Sequence, residues 1–134
     1  MKFLCLFHFR DDAFAGVTPR EMRRIDDATI EHDQRMRQSG HLIFGSPLTG
    51  PEEGAAIDRR RRLDAAVIDG PFPEAKEVVG GFVLLEARDM DDALAVFADD
   101  PIARYARLEI RPLRNSDSDR HSKTGEGRPD IKLT

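Results

Sequence analysis

Four histidines, one cysteine and a mixed-charge loop carry most of the chemical potential of this sequence. His32 falls on the series Met22, Ile25, Thr29, His32, Met36, spaced 3, 4, 3, 4, which is the inward stripe of an amphipathic helix. A plain core helix would place larger aliphatics at positions 29 and 32. An imidazole changes charge near neutral pH and moves a proton when a carboxylate orients it. Asp100, just before Pro101, is the carboxylate proposed for that role, with His32 as general base or acid. The plainer readings are a core histidine held by one hydrogen bond and a turn aspartate before proline.

The other candidates divide by position. His8 ends an apolar strand pattern on the parity of Leu4 and Leu6, where it either lines a cleft or lies at the surface. His41 follows a glycine at the start of a strand and reads as structural, and His121 lies in a polar tail. No HxH, HxxxH or HExxH spacing occurs, so no metal site is expected. Cys5 sits inside a strand and reads as an inert core thiol. There is no glycine-rich phosphate loop, and no Ser-His-Asp arrangement that spacing would reveal. The segment Asp69–Glu77 joins a Gly70-Pro71 turn to both signs of charge. Gly70 is conformationally free and Pro71 is fixed, so the loop reads as rigid. Asp69 can accept backbone amides, Phe72 anchors, and Glu74, Lys76 and Glu77 can reach a ligand or a partner subunit. A purely structural loop is the alternative.

The elements that must position these groups follow from pattern. Lys2–Arg10 is a strand with Phe3, Cys5, Phe7 and Phe9 on one face and Leu4, Leu6 and His8 on the other. Thr18-Pro19-Arg20-Glu21 starts a helix that runs to about Ser39 and ends at Gly40. His41–Leu48 is a second strand. Ala55–Arg60 and Asp64–Ile68 form a hairpin, with the Arg59–Arg62 run at its tip as a solvated surface. Gly80–Arg88 is a strand that, like the first, is apolar on both faces. Asp89 caps a helix over Met90–Ala98, with Met90, Ala93, Leu94 and Phe97 inward, and Tyr105–Leu113 is the last strand.

The order β-α-β, hairpin, β-α-β is an α+β plan, a ferredoxin-like split βαβ with an inserted β-hairpin. Two helices cover one sheet face. The other face keeps large apolar side chains, each worth about 1.5–3 kcal/mol when buried. A second copy is the simplest cover, giving a homodimer, a dimeric α+β barrel with small-molecule clefts.

Length and composition set the outer bounds. The chain has 134 residues, 40% hydrophobic and 34% charged, with formal charge −4. That suits one domain over 1–114 and a polar tail over 115–134, whose charges cancel. The acidic excess gives no electrostatic case for nucleic acid or an anionic membrane. One cysteine excludes an intramolecular disulfide. The longest apolar run, near Phe3–Phe7, is too short for a membrane span and no signal peptide precedes it, so a cytoplasmic protein is expected.

The nonapeptide Asp69-Gly70-Pro71-Phe72-Pro73-Glu74-Ala75-Lys76-Glu77 resembles the signature of the DGPF branch of the YCII-related family. The Ser39-Gly40 helix end, the Gly80-Gly81-Phe82 strand, the Asp100-Pro101 pair and the final Glu109-Ile110-Arg111-Pro112 are similar as well. The resemblance implies a dimeric α+β barrel and a helix histidine working with the aspartate of the Asp-Pro pair. Asp100 matches the latter. Counting back from Gly40 puts the family's histidine position at Thr29, with His32 one turn later on the same stripe. The function expected is a small cofactor-independent enzyme, of lyase, isomerase or dehydrohalogenase type. It would bind its substrate near His8, Thr29 and the Asp69–Lys76 loop. A noncatalytic metabolite-binding or regulatory module is the alternative.

Overall fold

The structure is a computed structural model that describes residues 1–60, 67–69 and 76–114. The chain starts with strand β1 (Lys2–Arg10). Helix α1 (Pro19–Gln38) follows, with the Thr18 hydroxyl accepting from the Glu21 N–H at 3.1 Å and Pro19 in the first turn. Gly40 adopts φ +81°, a left-handed conformation that stops the helix at little steric cost. Strand β2 (Leu42–Pro47) and the short pair β3 (Ala55–Ile57) and β4 (Val67–Asp69) come next. Strand β5 (Glu77–Glu86), helix α2 (Met90–Phe97), a 3-10 turn over Pro101–Arg104 and strand β6 (Arg107–Pro112) complete the fold.

The main sheet is antiparallel in the order β2-β5-β1-β6, which puts the two doubly apolar strands at its centre. Phe3, Cys5, Val83 and Leu85 pack with Met36 of α1 and Ala93 and Phe97 of α2 in one core. The helices therefore cover the Phe3/Cys5 face. Leu4, Leu6, Phe82 and Leu84 occupy the opposite face, half-buried in the single chain, beside the exposed Phe44. Which strand parity faces outward, open in the sequence, is settled here by the helix contacts.

Several boundaries differ from expectation. The strand expected from Gly80 begins at Glu77, because β1 continues past its bulge and pairs Phe9 with Val78 and Arg10 with Glu77. The last strand begins at Arg107 rather than Tyr105, since Asp100 and Pro101 open a 3-10 turn first. Helix α2 stops at Phe97, with Ala98 as its cap. Leu94, expected inward, is 51% exposed, and Val96 packs against the core instead. Strand β3 stops at Ile57 rather than Arg60, β4 runs one residue past Ile68 to Asp69, and Arg60 is held by Asp58 at 2.7 Å. The tail 115–134, the hairpin tip 61–66 and the motif residues 70–75, which include Gly70, Pro71, Phe72 and Glu74, lie outside the described residues.

Candidate functional site

The inward stripe of α1 buries Ile25, His32 and Met36. His32 Nε2 lies 2.7 Å from the Val96 carbonyl oxygen of α2. A carbonyl only accepts, so Nε2 carries the proton. That leaves Nδ1 as the free edge of the ring, buried and without a hydrogen-bond partner among the described residues. Facing it at 3.6 Å is Asp100 Oδ2, beyond hydrogen-bond reach but well inside electrostatic range. Asp100 is placed by its own turn, with Oδ1 accepting from the Ile102 N–H at 3.0 Å. Both side chains are sealed, at 2% and 4% exposure. Burial is the main cause that raises the Asp100 carboxyl above the ordinary carboxylate range, while the Ile102 amide and His32 pull it back. The same burial, with Asp100 adding to it, pushes the Cys5 thiol up to about 12. A groove of about 250 Å³ between the helices borders His32 on its Nε2 side, where Asp99 also lies, 3.7 Å from that nitrogen.

The other expected site residues do not converge on this pair. Thr29 donates its hydroxyl to the Ile25 carbonyl at 2.8 Å, within its own helix. His8 lies on the open sheet face, opposite the helices, and Nε2 meets Glu109 Oε1 across β1 and β6 at 2.8 Å. Asp69 is the last residue of β4, and Lys76 is an exposed residue just ahead of β5. His8, expected either to line a cleft or to lie at the surface, is separated from His32 by the sheet itself.

Another constellation was not legible. Ser39 Oγ lies 2.7 Å from His41 Nδ1, and His41 Nε2 lies 3.3 Å from both carboxylate oxygens of Asp92. The three sit where the interhelical groove meets a cavity of about 680 Å³ lined also by Glu86, Ala87 and Arg88. The left-handed Gly40 folds Ser39 back on His41, and the Asp89 cap sets the phase of α2 that presents Asp92. Only the short Ser39-Gly40-His41 spacing hinted at this. No group of three or more His, Cys, Asp or Glu side chains among the described residues is arranged to hold a metal ion.

A model of the YCII-related domain matches residues 1–116. The chain belongs to the YCII-related family. An uncharacterised protein of Rhizobium meliloti (strain 1021) is 37% identical over 65 residues, 47% of this YCII-related chain and 52% of that protein. The chain thus spans about half the length of the curated relative it matches. Among solved structures it is similar to 5-chloro-2-hydroxyhydroquinone dehydrochlorinase from Burkholderia phenoliruptrix AC1100, determined in complex with 2,5-dihydroxybenzoquinone. That likeness has a TM-score of 0.50 at 17% identity and covers 85% of this chain and 94% of the other. At this identity it bears on the fold, a mixed α+β architecture with an antiparallel sheet and two helices. No helix among the described residues is long and apolar enough to cross a membrane.

Proposed function

We propose that this YCII-related chain is a small cofactor-independent enzyme that moves a proton on a small organic substrate. His32 Nδ1 is the proton-transferring atom, the Val96 carbonyl orients the ring through Nε2, and Asp100, facing Nδ1, offsets the charge the ring gains when it takes the proton. One observation carries the reading. A buried imidazole nitrogen with no hydrogen-bond partner among the described residues is aimed at a buried carboxyl, while the opposite ring nitrogen is anchored to a carbonyl. Buried polar atoms are almost always satisfied, and an orphan at a titratable pair marks a place held ready for a ligand or a proton. Because the pair is sealed in the single chain, substrate reaches it only when the Pro101–Arg104 turn packed against α1 moves. Such pairs commonly tighten to hydrogen-bond length only in the substrate complex.

The finer architecture belongs to the same reading. Residues 1–114 form a ferredoxin-like domain of the DGPF branch, with 115–134 as an appended tail. Leu4, Leu6, Phe82 and Leu84 meet their counterparts on a second copy, so that the cytoplasmic protein is a dimeric α+β barrel. The Asp69–Lys76 loop and Thr29 would then shape the substrate's approach, while His8, on the open sheet face, would meet the second copy rather than the substrate of His32. The dehydrochlorinase of like fold makes hydroxylated chloroaromatics the first substrate class to try.

The test is chloride release and product absorbance from a panel of chlorinated hydroquinones and related hydroxylated aromatics. Wild type should turn over at least one compound, and His32→Gln and Asp100→Asn should each lose about 100-fold or more. Equal rates in all three proteins refute the assignment. A second reading, a noncatalytic binding module, is favoured by the 2% exposure of His32. Ligand-induced thermal shifts that are the same in His32→Ala, with no turnover of any ligand, would select it.

A further inference from the structure

Ser39, His41 and Asp92 form a hydrogen-bonded chain apart from the His32–Asp100 pair, and we propose that it makes Ser39 a nucleophile towards activated acyl donors. Asp92 Oδ2 accepts the Arg88 backbone N–H at 2.9 Å, and this bond is the main cause that holds its carboxyl down at about 2. Asp92 is therefore ionised and only accepts, so His41 Nε2, 3.3 Å from both oxygens, carries the ring proton. In the neutral ring that tautomer leaves a lone pair on Nδ1, and the Ser39 hydroxyl lies 2.7 Å from it. The Met36 carbonyl, at 3.1 Å, competes for the hydroxyl proton at longer range. These are the roles of a serine nucleophile, its base and the group that fixes the base's tautomer, with the two ring nitrogens exchanged. Roles and geometry, not sequence order, define such a set.

Access and charge indicate what the site takes. Ser39 is exposed, and it stands on the wall shared by the cavities of about 680 and 250 Å³, which leaves room for a small acyl group. The neighbouring backbone amides are already committed, Ser39 to Arg35, Gly40 to Arg37 and His41 to Met36. Two cations among the described residues line the cavity wall, the Met1 ammonium, paired with Glu86, and the Arg88 guanidinium, 86% exposed and 3.5 Å from Asp92 Oδ1, which must swing from that carboxylate to meet a developing oxyanion. Loss of a preorganised oxyanion donor costs about 100- to 1000-fold in rate. The site should capture activated esters covalently rather than turn them over fast. In the step, His41 Nδ1 takes the Ser39 hydroxyl proton as the Oγ–C bond forms. The ester C–O bond breaks, its electron pair leaves on the phenolate, and His41 returns the proton to solvent. Water later attacks the acyl-serine and releases the acid.

The experiment treats the full chain with p-nitrophenyl acetate and follows nitrophenolate release, intact mass and peptide mapping. Wild type should carry one acetyl group on Ser39, absent in Ser39→Ala, with acetylation at least about 100-fold slower in His41→Gln. Asp92 acts through His41 as a positioning residue. Asp92→Asn should slow acetylation about tenfold or more and Asp92→Glu should recover part of it, with the circular dichroism spectra unchanged. Acetylation confined to lysines, or of Ser39 at an undiminished rate in His41→Gln, overturns the proposal. If His41→Gln does not fold, the comparison of wild type with Ser39→Ala decides, because an unchanged nitrophenolate burst in Ser39→Ala is equally fatal.

Discussion

Replacing Asp100 with asparagine tests the electrostatics of the buried pair. The amide keeps an acceptor for the Ile102 N–H, now bonded at 3.0 Å, and gains an N–H facing His32 Nδ1 across 3.6 Å. Closing that gap creates a hydrogen bond worth about 1 kcal/mol. The substitution also removes a carboxyl that burial raises above its ordinary range. A carboxyl with a raised folded pKa contributes stability that is fully present below its unfolded pKa, about 4. That stability is lost as pH rises through the folded value. The wild type therefore weakens relative to Asp100→Asn as pH rises above about 4. At pH 7 the variant should be more stable by at least the hydrogen-bond gain of about 1 kcal/mol, and the gap should shrink towards pH 4. Urea unfolding followed by circular dichroism at pH 4, 5.5 and 7 measures this, with m-values compared to confirm equal surface exposure. A variant destabilised by about 3–5 kcal/mol at pH 7 would refute the reasoning, since that is the cost of stripping one partner from a buried ion pair.

Other consequences are independent of that pair. Leu6→Asp puts a charge in the middle of the open sheet face. The wild type should scatter light as a dimer at micromolar concentration and the variant as a monomer, and a monomeric wild type removes the barrel from the account. Gly80→Ala would bring a Cβ to 2.6 and 2.8 Å from two carbons of the Phe9 ring. That ring packs on Phe14, and Phe14 stacks on Tyr105, so the variant should lose about 1–3 kcal/mol, and an unaffected unfolding midpoint would contradict the packing. Cys5, with its thiol pushed up to about 12, should resist iodoacetamide at pH 8 until urea unfolds the chain, and rapid labelling of the native protein would be inconsistent with that burial.

Much of the fold was legible because local signals agreed with one another. The Thr18-Pro19 start, the Gly40 stop and the period of the α1 stripe each mark the same helix, and the helix packs as they require. Apolar residues on both faces of β1 and β5 announced central strands, and the sheet order places them there. Boundaries failed where tertiary pairing or turn chemistry overrode pattern. A bulge lets β5 start at Glu77, and the Asp100 cap diverts the chain before β6. The candidate site was legible as residue types but not as space. His32 and Asp100 are near each other, yet strand parity, which a sequence states only relative to the helices, put His8 on the far side of the sheet. His41 and Asp92 are 51 positions apart, so nothing local foretold their contact.

The most direct measurement of the central claim is the ring-nitrogen NMR of His32 in uniformly ¹⁵N-labelled protein, titrated in the wild type and in Asp100→Asn. Nε2 should keep its proton throughout, bound to the Val96 carbonyl, and Nδ1 should be the nitrogen that gains and loses one, with a response that changes when Asp100 becomes an amide. A free, deprotonated Nε2, or an Nδ1 signal indifferent to the Asp100 substitution, would contradict the account.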